Sequence, residues 1–98
     1  MTETIFTKHP QKGKAGQEIS KKKYDLMRAA ILETLTITPD LTEHALVDAV
    51  QARMATPFPG SISWYVHTVL LDLEARKMVQ RMNGKKEDQW RVWPEIRF

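Results

Sequence analysis

Between Pro59 and Trp93 the apolar residues change their spacing once, from a helical repeat to alternation, and this switch restricts the fold more than any other feature. Ile62, Val66, Val69, Leu70 and Leu73 recur at three- and four-residue intervals, the spacing that lines one face of a helix. Beyond Lys77 the period is two: Met78, Gln80 and Met82 alternate with Val79 and Arg81. Asn83-Gly84 is a short-range turn signal, followed by a loop through Asp88. Trp90, Val92 and Trp93 form the returning strand, which Pro94 closes. The prediction is a helix, capped by Ser61 or Ser63, that runs directly into a short antiparallel hairpin.

Two more helices are predicted upstream. Ser20 caps the first, on which Tyr24, Met27, Ile31 and Leu35 share a face beside Leu26, Ala30 and Leu32. It ends before Pro39, because the residue preceding a proline is forced out of the α region. Thr42 caps the second, with Glu43 in its first turn where the helix dipole favours negative charge. Its apolar face is Leu46, Val47, Val50 and Met54, it ends near Ala55, and Thr56-Pro57-Phe58-Pro59-Gly60 breaks it. A short strand around Ile37 would add a third member to the hairpin sheet. The class is therefore mainly α with a small β-hairpin, an α+β arrangement. Residues 1–19 carry Pro10, Gly13 and Gly16 without apolar periodicity and read as an irregular arm whose start is pinned by Ile5 and Phe6; residues 20–98 form the domain.

A chain of 98 residues supports one hydrophobic core. With 42% apolar and 28% charged residues it has the composition of a soluble globular protein. The absence of cysteine excludes disulfides, thiolate zinc sites and cysteine nucleophiles, and makes the cytoplasm the expected compartment. No apolar run approaches the roughly 20 residues that cross a bilayer, and no signal-peptide pattern opens the chain, so no membrane partner is expected. Net charge is +3, unevenly distributed. Residues 1–23 hold six lysines against two glutamates, whereas the remainder nets −1. A lysine-rich arm suits phosphate contacts through counterion release; a solvated tail is the other reading.

The stretch Leu70-Leu71-Asp72-Leu73-Glu74-Ala75-Arg76-Lys77-Met78-Val79-Gln80-Arg81 resembles the end of the recognition helix and the start of the wing in bacterial winged helix-turn-helix regulators. Pro59-Gly60-Ser61 and Ile31-Leu32-Glu33-Thr34-Leu35 are similar to segments of PadR-type and MarR-type proteins. The resemblance covers roughly residues 24–93. It implies three helices plus a two- or three-stranded wing, and a DNA-binding transcriptional regulator, commonly dimeric. Two departures are present. Lys77 stands where those families often place glycine, and Gly60 to Leu73 is about one helical turn longer than in PadR proteins. Ser63-Trp64-Tyr65 and Asp72-Leu73-Glu74-Ala75-Arg76 are more similar to an uncharacterised group of short bacterial winged-helix proteins.

On that resemblance the residues expected to meet double-stranded DNA are Ser61, Ser63, Trp64, His67 and Thr68 on the third helix, with Arg81, Lys85, Lys86 and Arg91 on the hairpin. Burying Val66, Val69, Leu70 and Leu73 turns Trp64, Thr68, Leu71 and Ala75 outward at about 100° per residue, with Asp72 and His67 alongside. Residues 60–75 contain no Lys or Arg to neutralise phosphates. Glu87 and Asp88 dilute the charge of the hairpin, leaving a solvated turn as its alternative. The competing reading is a protein-interaction module using Trp64, Leu71 and Ala75, covered by the chain's own termini, a second copy or another protein. For Trp93, Ile96 and Phe98 packing on their own domain is the simpler expectation. His9, His44 and His67 have no metal-ligand spacing, Gly13-Lys14-Ala15-Gly16 lacks the Walker pattern, and no serine has a matching histidine and acid. Neither enzymatic activity nor a cofactor is expected.

Overall fold

The computed structural model describes residues 3–54, 57–84 and 86–93. Across them the fold is α+β, with three helices and two small antiparallel sheets. The elements run β1 (Thr4–Phe6), β2 (Glu18–Ser20), α1 (Lys21–Ile37), β3 (Leu41–Thr42), α2 (Glu43–Arg53), α3 (Ile62–Ala75), β4 (Val79–Met82) and β5 (Gln89–Val92). The expected helix end at Ala55, the wing residue Lys85 and the apolar residues Ile96 and Phe98 lie outside the described residues.

The leading segment departs from the expected irregular arm. Thr4–Phe6 and Glu18–Ser20 pair antiparallel with Ile5 opposite Ile19, and Ile19 is buried in the core. This hairpin escapes the sequence because each strand has one inward apolar residue, and eleven residues without an apolar pattern separate the strands. Ser20 closes β2 and also caps α1, its hydroxyl accepting from the Lys23 N–H at 3.3 Å. The hairpin is thus tied to the first turn of α1.

Each helix begins and ends for a local reason. Thr42 caps α2 through the Ala45 N–H, and Ser61 caps α3 through the Trp64 N–H. Helix α1 ends as the Thr38 N–H bonds the Thr34 carbonyl at 2.8 Å, immediately before Pro39. At the end of α3 the Met78 N–H reaches Leu73 at 2.9 Å and the Lys77 N–H reaches Glu74 at 3.1 Å. This is a Schellman cap with Lys77 in the left-handed position at φ 60°.

Ile37 belongs to α1 and not to a strand; the third strand begins at Leu41. The chain first turns at Asp40, whose φ is 64° and whose N–H bonds the Trp90 carbonyl. Leu41 then pairs with Trp90, and Arg81 pairs with Trp90 from the other side, so the sheet order is β3-β5-β4.

The core collects one face of each helix. Met27, Ile31, Leu35, Leu46, Val50, Val66, Val69, Leu70 and Leu73 are buried together with Val79 and Trp90. Each fully buried Val, Leu or Ile contributes about 1.5–3 kcal/mol by leaving water. The inward face of α3 is the predicted one. Two further residues of α3, Thr68 and Asp72, are also buried.

Candidate functional site

Asp72 is the first departure that bears on function, since an outward carboxylate was expected and a fully buried one is found. A buried carboxylate is tolerable only when its charge and its lone pairs are matched. Oδ1 accepts from the backbone N–H of Lys8 at 2.7 Å. Oδ2 accepts from the Tyr24 hydroxyl. Both oxygens accept from Nε of Arg76, at 3.0 and 2.9 Å. The network therefore joins the N-terminal segment, α1 and α3 at one side chain. Burial, and then the hydrogen bond and negative charge of Asp72, raise the Tyr24 hydroxyl well above its ordinary value of 10.0. At Arg76 burial acts against the charge, but the bond to Asp72 and its attraction outweigh it, so the guanidinium holds its proton more tightly.

What Lys8 anchors is a segment folded across the outer face of α3. Thr7 is buried, and its N–H and Oγ1 exchange hydrogen bonds with Gln17, each at 2.8 Å. Gly16 is required there: a Cβ on it would stand 2.0 Å from the Thr7 carbonyl oxygen. Thr7, Lys8 and Gln17 line a cleft with Trp64, Thr68 and Leu71. Farther along, His9 and Pro10 line a second cleft with Ala75, Gln80 and Arg81. Leu71 and Ala75 are half-buried as a result, and Thr68 is buried. Of the face left open by the helical pattern, Thr68, Leu71 and Ala75 are covered in part by the chain's own leading segment, and Trp64 stays exposed.

The remaining candidate residues are placed as follows. Ser63 is exposed, and the Ser61 hydroxyl is engaged in the helix cap. Trp64 is 44% exposed and packs edge-on against Tyr65 with ring centroids 4.9 Å apart. His67 Nδ1 lies 3.1 Å from both carboxylate oxygens of Glu43. Arg81 bonds Asp88 at 3.0 Å and Glu74 at 3.1 Å, with its guanidinium 4.5 Å above the Trp90 ring. Arg91 bonds Asp40 at 2.7 Å. Lys86 is exposed. Trp64, His67 and Thr68 are thus brought together with the N-terminal segment, whereas Arg81 and Arg91 are turned toward carboxylates of their own molecule.

Lys8 and His9, which line the two clefts, belong to the lysine-rich arm expected only as a helper and are not among the residues expected to meet DNA. Residues 7–17 contain three lysines and no acid, and that run was the available signal. Its position over α3 was not legible, because it depends on contacts more than fifty residues away in sequence. No helix among the described residues is long and apolar enough to cross a membrane.

The fold and this surface define a small α+β protein whose third helix is partly covered by the loop of its own N-terminal hairpin. Residues 4–90 match the model of the family of unknown function DUF6958, and the chain belongs to that family. No curated protein and no solved structure matches it.

Proposed function

We propose that residues 20–98 form a winged helix-turn-helix domain, that β4 and β5 are its wing, and that the protein binds double-stranded DNA in the cytoplasm as a transcriptional regulator, working as a dimer. The observation that carries this reading is strand order: β3 lies between α1 and α2 in sequence and pairs with β5, the second strand of the hairpin that follows α3. In a winged-helix protein that connection fastens the hairpin to the helix pair. Fold alone does not specify a partner. The basic excess of residues 1–23 adds electrostatic support, because three of its lysines fall in the acid-free run 7–17 and one of them, Lys8, lines the cleft along α3.

A second reading, a protein-docking module, is favoured by a specific observation. Arg76, Arg81 and Arg91 are all paired to carboxylates of the same chain, and the exposed Trp64 is apolar. Aromatic side chains of this kind anchor protein interfaces.

Fluorescence anisotropy with a labelled 20-base-pair random duplex across a salt series separates the two. Binding that weakens linearly in log–log form with added salt is the expected result. No binding even at low ionic strength would sink the DNA reading and leave the docking module. Light scattering at micromolar concentration that finds only monomer would refute the dimer.

A further inference from the structure

We infer that the phosphate-contacting element of this protein is the loop of the N-terminal hairpin, through Lys8, Lys12 and Lys14, and not the β4–β5 wing. The inference rests on the DNA-binding reading above and specifies where the contact is made.

The argument begins with which cations are free to meet a polyanion. Arg53, Arg76, Arg81 and Arg91 each form a salt bridge within the molecule, and Lys21 is paired with Asp25. A guanidinium already facing carboxylates brings little net field to a phosphate. Lys8, Lys12 and Lys14 are exposed, and none forms an ion pair among the described residues. They lie within seven consecutive positions of a run from Thr7 to Gln17 that has no acidic residue. On the β4–β5 loop Lys86 is likewise exposed and forms no ion pair among the described residues, but Glu87 and Asp88 follow it directly and offset its field.

The loop is also held in shape. The Lys14 N–H bonds the Gln11 carbonyl at 3.2 Å, closing a turn whose third residue is Gly13 at φ 85°. That is the left-handed position a type II turn requires. The Gln11 N–H bonds Nδ1 of His9 at 3.1 Å. At the base of the loop, the Lys8 N–H is fixed to buried Asp72. The lysines are therefore presented from a fixed backbone whose base, at Lys8 and Gln17, lines a cleft with the exposed Trp64. A fixed array loses less entropy on binding than a mobile tail.

The same placement changes the docking mode. With Thr7–Lys8 and Gly16–Gln17 lining a cleft beside Thr68 and Leu71, the middle of α3 does not lie bare for a major groove. Contact runs instead through the loop to the sugar-phosphate backbone, which carries little sequence information by itself. The segment from Lys8 to Gln17 has no large apolar residue to insert into a lipid bilayer, so a duplex is the favoured polyanion.

The test compares wild type, Lys8/Lys12/Lys14→Ala and Lys85/Lys86→Ala on the labelled duplex between about 50 and 200 mM salt. All three substituted loop side chains are exposed, and circular dichroism verifies that each variant folds. The loop variant is expected to bind at least about tenfold more weakly at the lowest salt, with a salt slope shallower by about 2–3. The Lys85/Lys86 variant should lose less. If wild type binds but the loop variant keeps its affinity and slope, the inference is overturned while the DNA reading stands. If wild type binds no duplex, the functional reading itself fails. Binding to vesicles of phosphatidylglycerol and phosphatidylcholine without duplex binding would overturn both.

Discussion

The backbone N–H of Lys8 donates to Oδ1 of Asp72 across 64 positions of sequence, at 2.7 Å. This bond converts a charged tail into part of the folded domain. It also makes Asp72 a shared support, because Tyr24 from α1 and Arg76 from the end of α3 reach the same carboxylate. A change at Asp72 should be felt in three elements at once.

Asp72→Ala is expected to lower unfolding free energy by about 3 kcal/mol, the scale for removing one partner of a buried pair. Arg76 is 32% exposed, so water recovers part of what it loses. Tyr24→Phe removes one hydrogen bond to a charged acceptor and should cost about 1.5–3 kcal/mol. Urea denaturation of both variants measures this. A loss below about 0.5 kcal/mol for Asp72→Ala would show that the network does not support the fold.

The Tyr24 hydroxyl gives that network a pH signature. Its pKa in the folded protein is raised above the ordinary 10.0, first by burial and then by Asp72. Above that pH the unfolded chain releases this proton while the folded chain retains it, so the folded state binds more protons and stability falls as pH rises. Below the unfolded value the contribution is fully present. Denaturation midpoints should therefore decline from about pH 10 upward, and Tyr24→Phe should flatten that decline. An equally steep decline in the variant would assign it to other groups.

Lys77 sits in a left-handed conformation that costs a side-chain-bearing residue about 1–2 kcal/mol. Lys77→Gly removes that strain and forfeits the ammonium 5.8 Å from the Trp93 ring, worth about 0.5–1 kcal/mol at an exposed site. The expected result is a net gain of about 0.5 kcal/mol in thermal or urea unfolding. A net loss would mean that the Trp93 contact outweighs the backbone strain.

Thr34 in α1 is buried, and its Oγ1 has no hydrogen-bond partner among the described residues. Thr34→Val keeps the shape and removes an unsatisfied polar atom, so it should stabilise the protein by about 1 kcal/mol. A destabilised variant would argue that the hydroxyl has a partner in solution.

The residues that were legible in the sequence are those whose burial follows from local period. Val66, Val69, Leu70 and Leu73 turn inward because helical spacing alone puts them on one side, whereas alternation set Val79 and Arg81 against Met78, Gln80 and Met82 without deciding that Val79 is the buried one. Lys77 was legible as the occupant of a glycine position at a helix end. Thr68 and Asp72 were not, since period places them on the outer side, and what encloses them, the leading segment and for Asp72 also Tyr24 of α1, is distant in sequence. Arg81 and Arg91 were visible as cations, but not their carboxylate partners Glu74, Asp88 and Asp40, which the sheet register selects. Cationic residues are thus visible in sequence, whereas their pairing depends on the fold.

Gly16 tests whether the cap over α3 is packed as closely as Thr7 and Lys8 indicate. A Cβ there would stand 2.0 Å from the Thr7 carbonyl oxygen and 2.4 Å from its Oγ1, and neither the backbone atom nor the bonded hydroxyl can yield without moving the strand. Gly16→Ala is expected to cost about 1–3 kcal/mol, as overpacking does. The loss should be local first: the amides of Lys8 and Gln17, held by Asp72 and by Thr7, should exchange with solvent faster than those of the α3 core. The fluorescence of Trp64 should shift to longer wavelength as the segment beside it lifts. Unchanged exchange at those two amides would mean that the segment does not bear on α3, and the covered face would then have to be regarded as open.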